Sequence, residues 1–418
     1  MSFQPLLCKR SILIFYYLTY NLQLTTYNLQ LTTITTITTH TTYDYIITGG
    51  GCAGLSLIMR MLAEPSLSNK KILLIEQSEK NLNDRTWCFW EQGKGFFESL
   101  VCKQWSSAWF HAQEYSSLKE LGAYRYKMIR GIDFYQHCYQ RIDAAPNVTV
   151  VRDNVEEIQQ DANGVQVFTS DGQYQGAYLF NSILFDDPLK QKNALHLLQH
   201  FKGWVIETEE DVFDVNACTL MDFRVSQHHG TTFVYVMPLT KRKALVEYTL
   251  FTEKLLEEHQ YIDGLKNYIK DYLNNISYQI HEEEFGIIPM TSAKFPREEG
   301  RKIFIGTAGG QTKASSGFTF MFIQKQSAML IEQLKKTGKP LYSSTKFNQR
   351  YSWFDKVLLN VLIKRRVPGD IVFKKMFQKN PIERIFRFLD NETNLSEEIR
   401  LVSTLPTIPF LRAGIEEI

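Results

Sequence analysis

The first candidate functional residues are three glycines whose spacing is typical of a dinucleotide-binding turn. Gly49, Gly51 and Gly54 form a G-x-G-x-x-G pattern after the short apolar run from Tyr45 to Thr48. In such a unit the first glycine makes a tight turn, the second lets the backbone approach a pyrophosphate, and the third lets a helix pack on the strand. Glu76 follows about 22 residues after Gly54, where a carboxylate accepts hydrogen bonds from a ribose. The spacing predicts a dinucleotide site.

A second glycine-rich junction lies far along the chain. A predicted strand from Lys302 to Ile305 leads into a loop, and a helix is predicted to start near Phe318. A flavin-binding fold needs such a junction to close over the isoalloxazine ring and the ribityl chain. Many flavoproteins place an aspartate directly after the strand's glycine, and here Thr307 takes that place. The glycines of this loop are Gly306, Gly309, Gly310 and Gly317.

Glu247 is the candidate acid. It lies on a predicted strand from Ala244 to Phe251, where alternation puts Leu245, Glu247 and Thr249 on one face and Val246, Tyr248 and Leu250 on the other. A carboxylate on such a strand is most often simply solvated. If this face of the strand instead lines an apolar pocket, desolvation raises the pKa of the Glu247 carboxyl and makes it suitable for proton donation.

Tryptophans are concentrated in one part of the chain, because four of the six lie between positions 87 and 109. Trp87 and Trp90 belong to the segment NDRTWCFW. An aromatic core patch is the plainer interpretation. The alternative is the wall of a pocket for a large apolar or cationic guest, since indole faces stabilise positive charge.

The elements that must position these residues form an α/β protein with a Rossmann-like dinucleotide-binding domain, an antiparallel-sheet substrate domain and a helical C-terminal region. Tyr178 to Phe185 is the predicted strand that returns to the nucleotide sheet. The predicted domains are a low-complexity arm over 1–42, a first nucleotide-binding part over 43–190, the antiparallel sheet over 191–298, a return segment over 299–340 and the helical region over 341–418.

Length and composition exclude several classes of protein. The 418 residues, 44% of them hydrophobic, can bury a large core, and a net charge of +2 gives no nucleic-acid signature. Six cysteines without a paired spacing indicate reduced thiols in a cytoplasmic protein. The histidines show no metal-binding pattern, and no apolar run is long enough to predict a transmembrane helix.

The C-terminal part combines basic and apolar residues. It is either an ordinary pair of solvated helices or a surface that contacts an anionic membrane. The basic residues are Lys364, Arg365, Arg366, Lys374, Lys375 and Lys379.

A series of motifs runs from Tyr43 toward the C-terminus: YDYIITGGGCAGLSL, DRTWCFW, MDFR (Met221 to Arg224), LVEYT, EFGIIPMT, GTAGGQTKASSGFTF and FRFLDNET. With these motifs in this order, the chain resembles the bacterial-type lycopene β-cyclases, which are FAD-dependent carotenoid cyclases. The resemblance implies FAD in its reduced form, NADPH or NADH as reductant, and conversion of the ψ-ends of lycopene to β-ionone rings, giving β-carotene via γ-carotene without net redox change. It also implies acyclic or monocyclic carotenes as partners and a cytoplasmic enzyme on the inner face of the cell membrane.

The resemblance assigns roles to particular residues. The family's acidic motif maps onto LVEYT, so Glu247 matches its catalytic glutamate. Plant members have a second glutamate where this sequence has Tyr248, which we expect to contact substrate together with Trp87 and Trp90. Asp222 is the expected partner of the acid. Two other functions stay open at this stage: an FAD-dependent reductase or monooxygenase acting on a lipophilic substrate, and a non-catalytic pigment or flavin carrier.

Overall fold

The computed structural model describes residues 42–340 and 347–418. The low-complexity arm predicted over 1–42 therefore lies outside the described residues, except that Thr42 already belongs to the first strand. The strands are β1 (Thr42–Thr48), β2 (Ile72–Ile75), β3 (Thr86–Gln92), β4 (Lys103–Trp105), β5 (Ser107–Ala112), β6 (Tyr115–Glu120), β7 (Tyr124–Arg130), β8 (Val148–Val151), β9 (Val155–Gln160), β10 (Val165–Thr169), β11 (Gln173–Asn181), β12 (His196–Thr208), β13 (Ala217–Asp222), β14 (Thr231–Pro238), β15 (Lys243–Thr252), β16 (Tyr278–Thr291), β17 (Glu298–Glu299) and β18 (Lys302–Phe304).

Helices cover the sheets and form the C-terminal region. Short 3-10 turns occur at Pro65–Leu67, Glu98–Leu100, Pro188–Lys190 and Gly306–Gly309. The α-helices are α1 (Cys52–Ala63), α2 (Gly131–Asp143), α3 (Glu258–Tyr272), α4 (Phe320–Thr337), α5 (Phe347–Ile363), α6 (Gly369–Lys379), α7 (Ile382–Leu389), α8 (Leu395–Val402) and α9 (Thr407–Glu416).

The first sheet is built around five parallel strands in the order β18-β11-β1-β2-β8. Its inner strands are continuous apolar runs because both faces are covered, and all four residues of β2 are buried. The predicted return strand is confirmed as the second half of β11, which pairs parallel to β1 and ends at Asn181. The order is that of the predicted Rossmann-like FAD-binding fold, with the Gly49 turn at the end of its central strand.

The second sheet has seven strands in the order β16-β12-β15-β14-β13-β5-β6. Strands β12 to β16 come from the segment predicted as an antiparallel substrate sheet. Strands β5 and β6 do not, since residues 107–120 lie within the segment assigned to the nucleotide domain. They extend the second sheet because β5 pairs parallel to β13, a long-range pairing that local pattern does not reveal. A smaller three-stranded sheet has the order β3-β7-β4.

The two faces of the second sheet are covered by different helices. Helix α3 packs on one face, against the side chains of Val246, Tyr248 and Leu250. Residues of α6, α7 and α8 pack elsewhere on the sheet in a large apolar core. In that core Trp90 of β3 stacks on Phe386, with ring centroids 4.5 Å apart. The five cysteines in the described ranges are free thiols, as expected.

Candidate active site

The first glycine turn has the geometry that a pyrophosphate requires. Gly49 has a φ of 95°, which favours glycine, and Gly51 is the residue before the first turn of α1. A Cβ atom added to Gly51 would meet no atom within 4 Å, so open space lies beside the backbone there. A Cβ on Gly54 would instead lie 2.1 Å from the Gly49 carbonyl oxygen, because helix and turn are in close contact.

Glu76 lies at the end of β2, close to the glycine turn. Its buried carboxylate accepts hydrogen bonds from the Gly50 N–H at 2.6 Å and from the Ser78 N–H at 2.8 Å. Burial raises the pKa of Glu76, but the hydrogen bonds from Ser78 and Gly50 and the charge of Lys80 outweigh it, so the pKa is lowered. Glu76 is therefore an ionised acceptor beside the turn, in the position expected for a ribose contact.

The second glycine-rich junction packs directly on the first. A Cβ on Gly306 would lie 2.8 Å from the Cβ of Ala53 in α1, and a Cβ on Gly309 would lie 2.2 Å from the Phe304 carbonyl oxygen. Gly310 and Gly317 both have positive φ. The Thr307 hydroxyl lies 3.1 Å from that of Thr312, and both residues line a cavity. The structure thus brings both predicted glycine segments together.

This cavity has a volume of about 400 Å³ and extends from the second glycine junction to the second sheet. Two buried polar atoms at its wall, Gln199 Oε1 and Ser316 Oγ, have no hydrogen-bond partner within the described residues. Since buried polar atoms are normally paired, such atoms indicate a ligand that supplies the partner. With the open space at Gly51 and the ionised Glu76, the site fits a flavin dinucleotide. The aromatic lining residues are Trp87, Tyr126, Phe201, Tyr235, Phe285, Phe318 and Phe320.

Glu247 lies on the wall of this cavity. The strand alternation was predicted correctly, because Leu245 and Glu247 face the cavity while Val246 and Tyr248 face α3. The Thr249 hydroxyl donates a hydrogen bond of 2.8 Å to Glu247 Oε1. Burial raises the pKa of Glu247 well above its usual range, and the negative charge of Glu284 raises it further. These two effects favour the protonated form of Glu247.

Glu284 is the site residue that the sequence did not reveal. It lies on β16, lines the same cavity, and accepts a hydrogen bond of 3.0 Å from the Thr86 hydroxyl. The sequence shows it within a run of three glutamates, which is typical of a solvated strand. A useful signal was Gly203 in the middle of the long strand β12, because an interior glycine often marks a close approach of neighbouring groups.

Of the predicted substrate residues, only Trp87 lines the cavity. Its ring makes an edge contact with Phe134, with centroids 5.1 Å apart. Trp90 is buried against Phe386, outside the cavity, and thus occupies the core position that was the plainer interpretation. Tyr248 lies on the opposite face of the sheet, packed beneath α3 at Gly264.

Asp222 is also placed away from Glu247. Its carboxylate is fully buried, accepts hydrogen bonds from Arg224 Nε at 2.9 Å and from the Tyr268 hydroxyl at 2.9 Å, and does not line the cavity. Tyr268 belongs to α3, so the carboxylate faces the helix-covered side of the sheet. The hydrogen bond from Tyr268 ties α3 to β13, and the expectation that Asp222 assists the acid has no support from its position.

Comparison with known proteins gives the family. The pattern described as "Lycopene cyclase protein" matches residues 44–414. The chain belongs to the lycopene cyclase family. A relative of this family member is a lycopene beta-cyclase from Pseudescherichia vulneris, 21% identical over 393 residues, a match that covers 88% of this chain and 95% of the relative.

Solved structures with a similar fold are flavoproteins and related enzymes. A flavoprotein/dehydrogenase from Cytophaga hutchinsonii is 12% identical, with a TM-score of 0.57 over 90% of this chain and 98% of its own. A geranylgeranyl bacteriochlorophyll reductase-like protein from Thermoplasma acidophilum is 14% identical, with a TM-score of 0.54 over 90% of this chain and 96% of its own. At these identities the likeness shows the fold, and this member of the lycopene cyclase family has a flavoprotein fold.

Proposed function

We propose that this chain is a lycopene β-cyclase, which converts the ψ-ends of lycopene to β-ionone rings without net redox change. The observation that carries the proposal is the carboxyl of Glu247 in an aromatic-walled cavity beside the second glycine junction, where burial raises its pKa. Family membership supports the same reaction. The ring closes to give β-carotene by way of γ-carotene.

The chain's own residues account for the acid chemistry. Glu247 donates its proton to a terminal carbon–carbon double bond, which leaves a tertiary carbocation that the next double bond attacks. The cavity walls keep water from the cation, and the ring faces of Trp87 and Tyr235 stabilise its positive charge. Loss of a ring proton then completes the double bond of the product, so no proton and no electron is consumed.

FAD would be held by the Gly49 turn, Glu76 and the Gly306 junction. Reduced FAD, kept so by NADPH or NADH, would supply negative charge that favours a cationic transition state. Glycine segments in contact and unpaired polar atoms at the cavity wall support this assignment.

The decisive experiment is conversion of lycopene by the purified, flavin-loaded enzyme under anaerobic reducing conditions, with pigments separated by chromatography. We expect β-carotene with no stoichiometric consumption of NADPH. An FAD-dependent reductase would instead consume one NADPH for each substrate, a monooxygenase would consume NADPH and substrate only in a parallel reaction that is supplied with oxygen, and a carrier would return lycopene unchanged in both. Any of these results would overturn the proposal.

Glu247→Gln tests the acid. The amide keeps the side chain's size and still accepts the Thr249 hydrogen bond, but it cannot deliver a proton. We expect normal FAD content and a fall in initial rate of at least about 100-fold, as for a lost general acid. Glu283→Gln is the matched control, because Glu283 lies outside this cavity and binds Lys202 at 2.9 Å. A normal rate for folded Glu247→Gln would remove Glu247 from the mechanism.

We also infer contact with a membrane through the exposed apolar side of α8 and α9. We propose this apolar side as the contact surface in place of the basic cluster, in which Glu416 pairs with both Lys364 and Arg366 and offsets one of their two charges. Among residues 42–340 and 347–418, no helix has the length and apolar character to cross a bilayer. The exposed side chains are Leu395, Ile399, Ile408, Leu411, Ile415 and Ile418.

The exposed apolar side of α8 and α9 borders an apolar cavity inside the protein. Leu411, Ile415 and Ile418 also line an apolar cavity of about 340 Å³ beneath the C-terminal helices. Ser316 lines both that cavity and the one that contains Glu247. A water-insoluble polyene that leaves the bilayer at this surface would meet apolar walls on its way to the acid. The placement supports a peripheral enzyme at the inner face of the cell membrane.

A further inference from the structure

Two glutamates from different strands converge over one glycine. Gly203 of β12 is paired with Glu247 of β15 on one side and with Glu284 of β16 on the other. Directly paired residues in a sheet point to the same face, and neighbouring strands are about 4.8 Å apart. The two glutamate backbones are therefore roughly 10 Å apart, a span that two long side chains can close if nothing stands between them.

Gly203 leaves that space open. A Cβ atom at this position would lie 2.9 Å from Glu284 Cγ, 3.1 Å from Glu284 Oε1 and 3.1 Å from Leu245 Cδ1. Contacts this short require the neighbours to move. The glycine therefore forms a notch between the strands, in which the carboxyl groups of Glu247 and Glu284 meet and hydrogen-bond to each other.

A hydrogen bond between two carboxyl groups requires that one of them carries a proton. Burial raises the pKa of both carboxyls, and the charge of Glu284 raises that of Glu247 further, so we place the proton on Glu247, while Glu284 accepts from the Thr86 hydroxyl at 3.0 Å. Glu247 is the protonated member. Its carboxyl also accepts from Thr249 at 2.8 Å, so both members are held in place.

We propose that Glu284 is a positioning residue that shares one proton with Glu247 before and after each ring closure. The proposal rests on the cyclase function proposed above. When the O–H bond of Glu247 breaks and a C–H bond forms on the substrate, the notch contains two adjacent carboxylates. Their repulsion favours return of the proton that leaves the ring, so the pair begins and ends with one proton and no other reactant is needed.

Removing the charge of Glu284 should make Glu247 a stronger acid. Cyclisation needs protonated Glu247, so activity is present below its pKa and is lost as the pH rises through it. The charge of Glu284 raises that pKa, and Glu284→Gln should move the loss of activity to lower pH by at least about one unit, the coupling typical of interacting carboxyls. Other groups that act on the pair or line its cavity are Glu282 on β16, Cys88 on β3, Tyr126 on β7, Tyr235 on β14, Asp84 and Arg85.

The experiment measures initial rates of β-carotene formation against pH for the flavin-loaded wild type and three variants. Glu284→Gln should show the acidic displacement, whereas Glu283→Gln, its neighbour on the same strand, should follow the wild type. Glu284→Asp keeps the charge and should restore part of the wild-type profile. An unchanged profile for Glu284→Gln would overturn the proposal. If that variant does not fold, Gly203→Ala, which crowds the notch, should produce the same displacement.

An infrared readout separates this inference from the cyclase function. The stretching band of a protonated carboxyl is distinct from that of a carboxylate and can be titrated without substrate. Besides the band of Asp390, whose pKa burial raises to about 6 and which all variants share, we expect a band in the wild type that is lost in Glu247→Gln and displaced to lower pH in Glu284→Gln. If the band behaves in this way but no ring forms, the cyclase proposal fails and the shared proton stands. If rings form but the carboxyl band titrates in Glu284→Gln as it does in the wild type, the shared proton is refuted and the cyclase function is not.

Discussion

Replacing Gly51 should remove the cofactor and spare the fold. A side chain there would meet no protein atom within 4 Å, and its φ of −87° is open to any residue. The space it would fill is the approach to the first turn of α1, where free N–H groups bind phosphate. Gly51→Val is therefore expected to fold normally and to lose FAD.

The size of the loss follows from the contacts that the side chain would block. Each hydrogen bond from a backbone N–H to a charged phosphate contributes about 1.5–3 kcal/mol, so losing two of them costs roughly 3–6 kcal/mol. At about 1.4 kcal/mol for each factor of ten, FAD affinity should fall by about 100-fold to 10,000-fold. The free energy of unfolding of the apoprotein should change by less than about 1 kcal/mol, as at a surface position that clashes with nothing.

Gly54→Ala provides the contrasting variant. Its Cβ would lie 2.1 Å from the Gly49 carbonyl oxygen and 3.1 Å from Ile47 Cγ2, so the smaller side chain should do more damage to the fold. Overpacking of this kind costs about 1–3 kcal/mol.

Equilibrium dialysis with FAD and thermal unfolding of the apoproteins measure the two effects separately. The reasoning is wrong if the Gly51→Val protein binds FAD with wild-type affinity, or if its apoprotein unfolds at a lower temperature than that of Gly54→Ala.

Two further predictions concern Asp222 and the C-terminal surface. Asp222→Asn weakens the ion pair with Arg224 and should lower the free energy of unfolding by about 1–3 kcal/mol. Turnover per folded molecule should stay close to that of the wild type. A folded Asp222→Asn protein as inactive as Glu247→Gln would show that Asp222 takes part in catalysis. Replacing both Ile408 and Leu411 by serine should reduce liposome flotation at least about tenfold, since a fully buried Ile or Leu side chain contributes about 1.5–3 kcal/mol. Neutralising the two basic residues that pair with Glu416 should have little effect, and a larger effect there would favour the electrostatic contact.

The nucleotide-binding part of the fold was predictable because its signals are local. The Gly49 turn, Glu76 and the return to β1 at Asn181 each follow from short motifs whose backbone geometry only certain residues can adopt. The faces of β15 were equally accessible, because alternation alone separates Glu247 from Tyr248. Assigning Tyr248 to the substrate site contradicted that same alternation, and the structure follows the alternation.

The features that could not be predicted from the sequence depend on pairing between strands that are distant along the chain. Glu284 looks like Glu282 and Glu283 until its strand is placed against Gly203, and nothing local fixes that register. Trp90 could have been cavity or core, and the packing of α7 decides for the core. Residues 107–120 carry no sign that they extend the second sheet, since edge strands depend mainly on their neighbours.

On the proposed cyclase function, the colour of the pigment that a cell makes would report how β16 is aligned against β12 at Gly203. Shifting β16 by one residue against β12 would bring Glu283 or Phe285 opposite Gly203 and turn Glu284 to the other face, with almost no change in the number of backbone hydrogen bonds. Spectroscopic probes of secondary structure would hardly detect such a slip. If the chain is the cyclase proposed above, a lycopene-producing colony with such a slip would form less β-carotene and stay redder, so libraries in the residues around β16 could be screened by eye for sheets that pair in the native alignment.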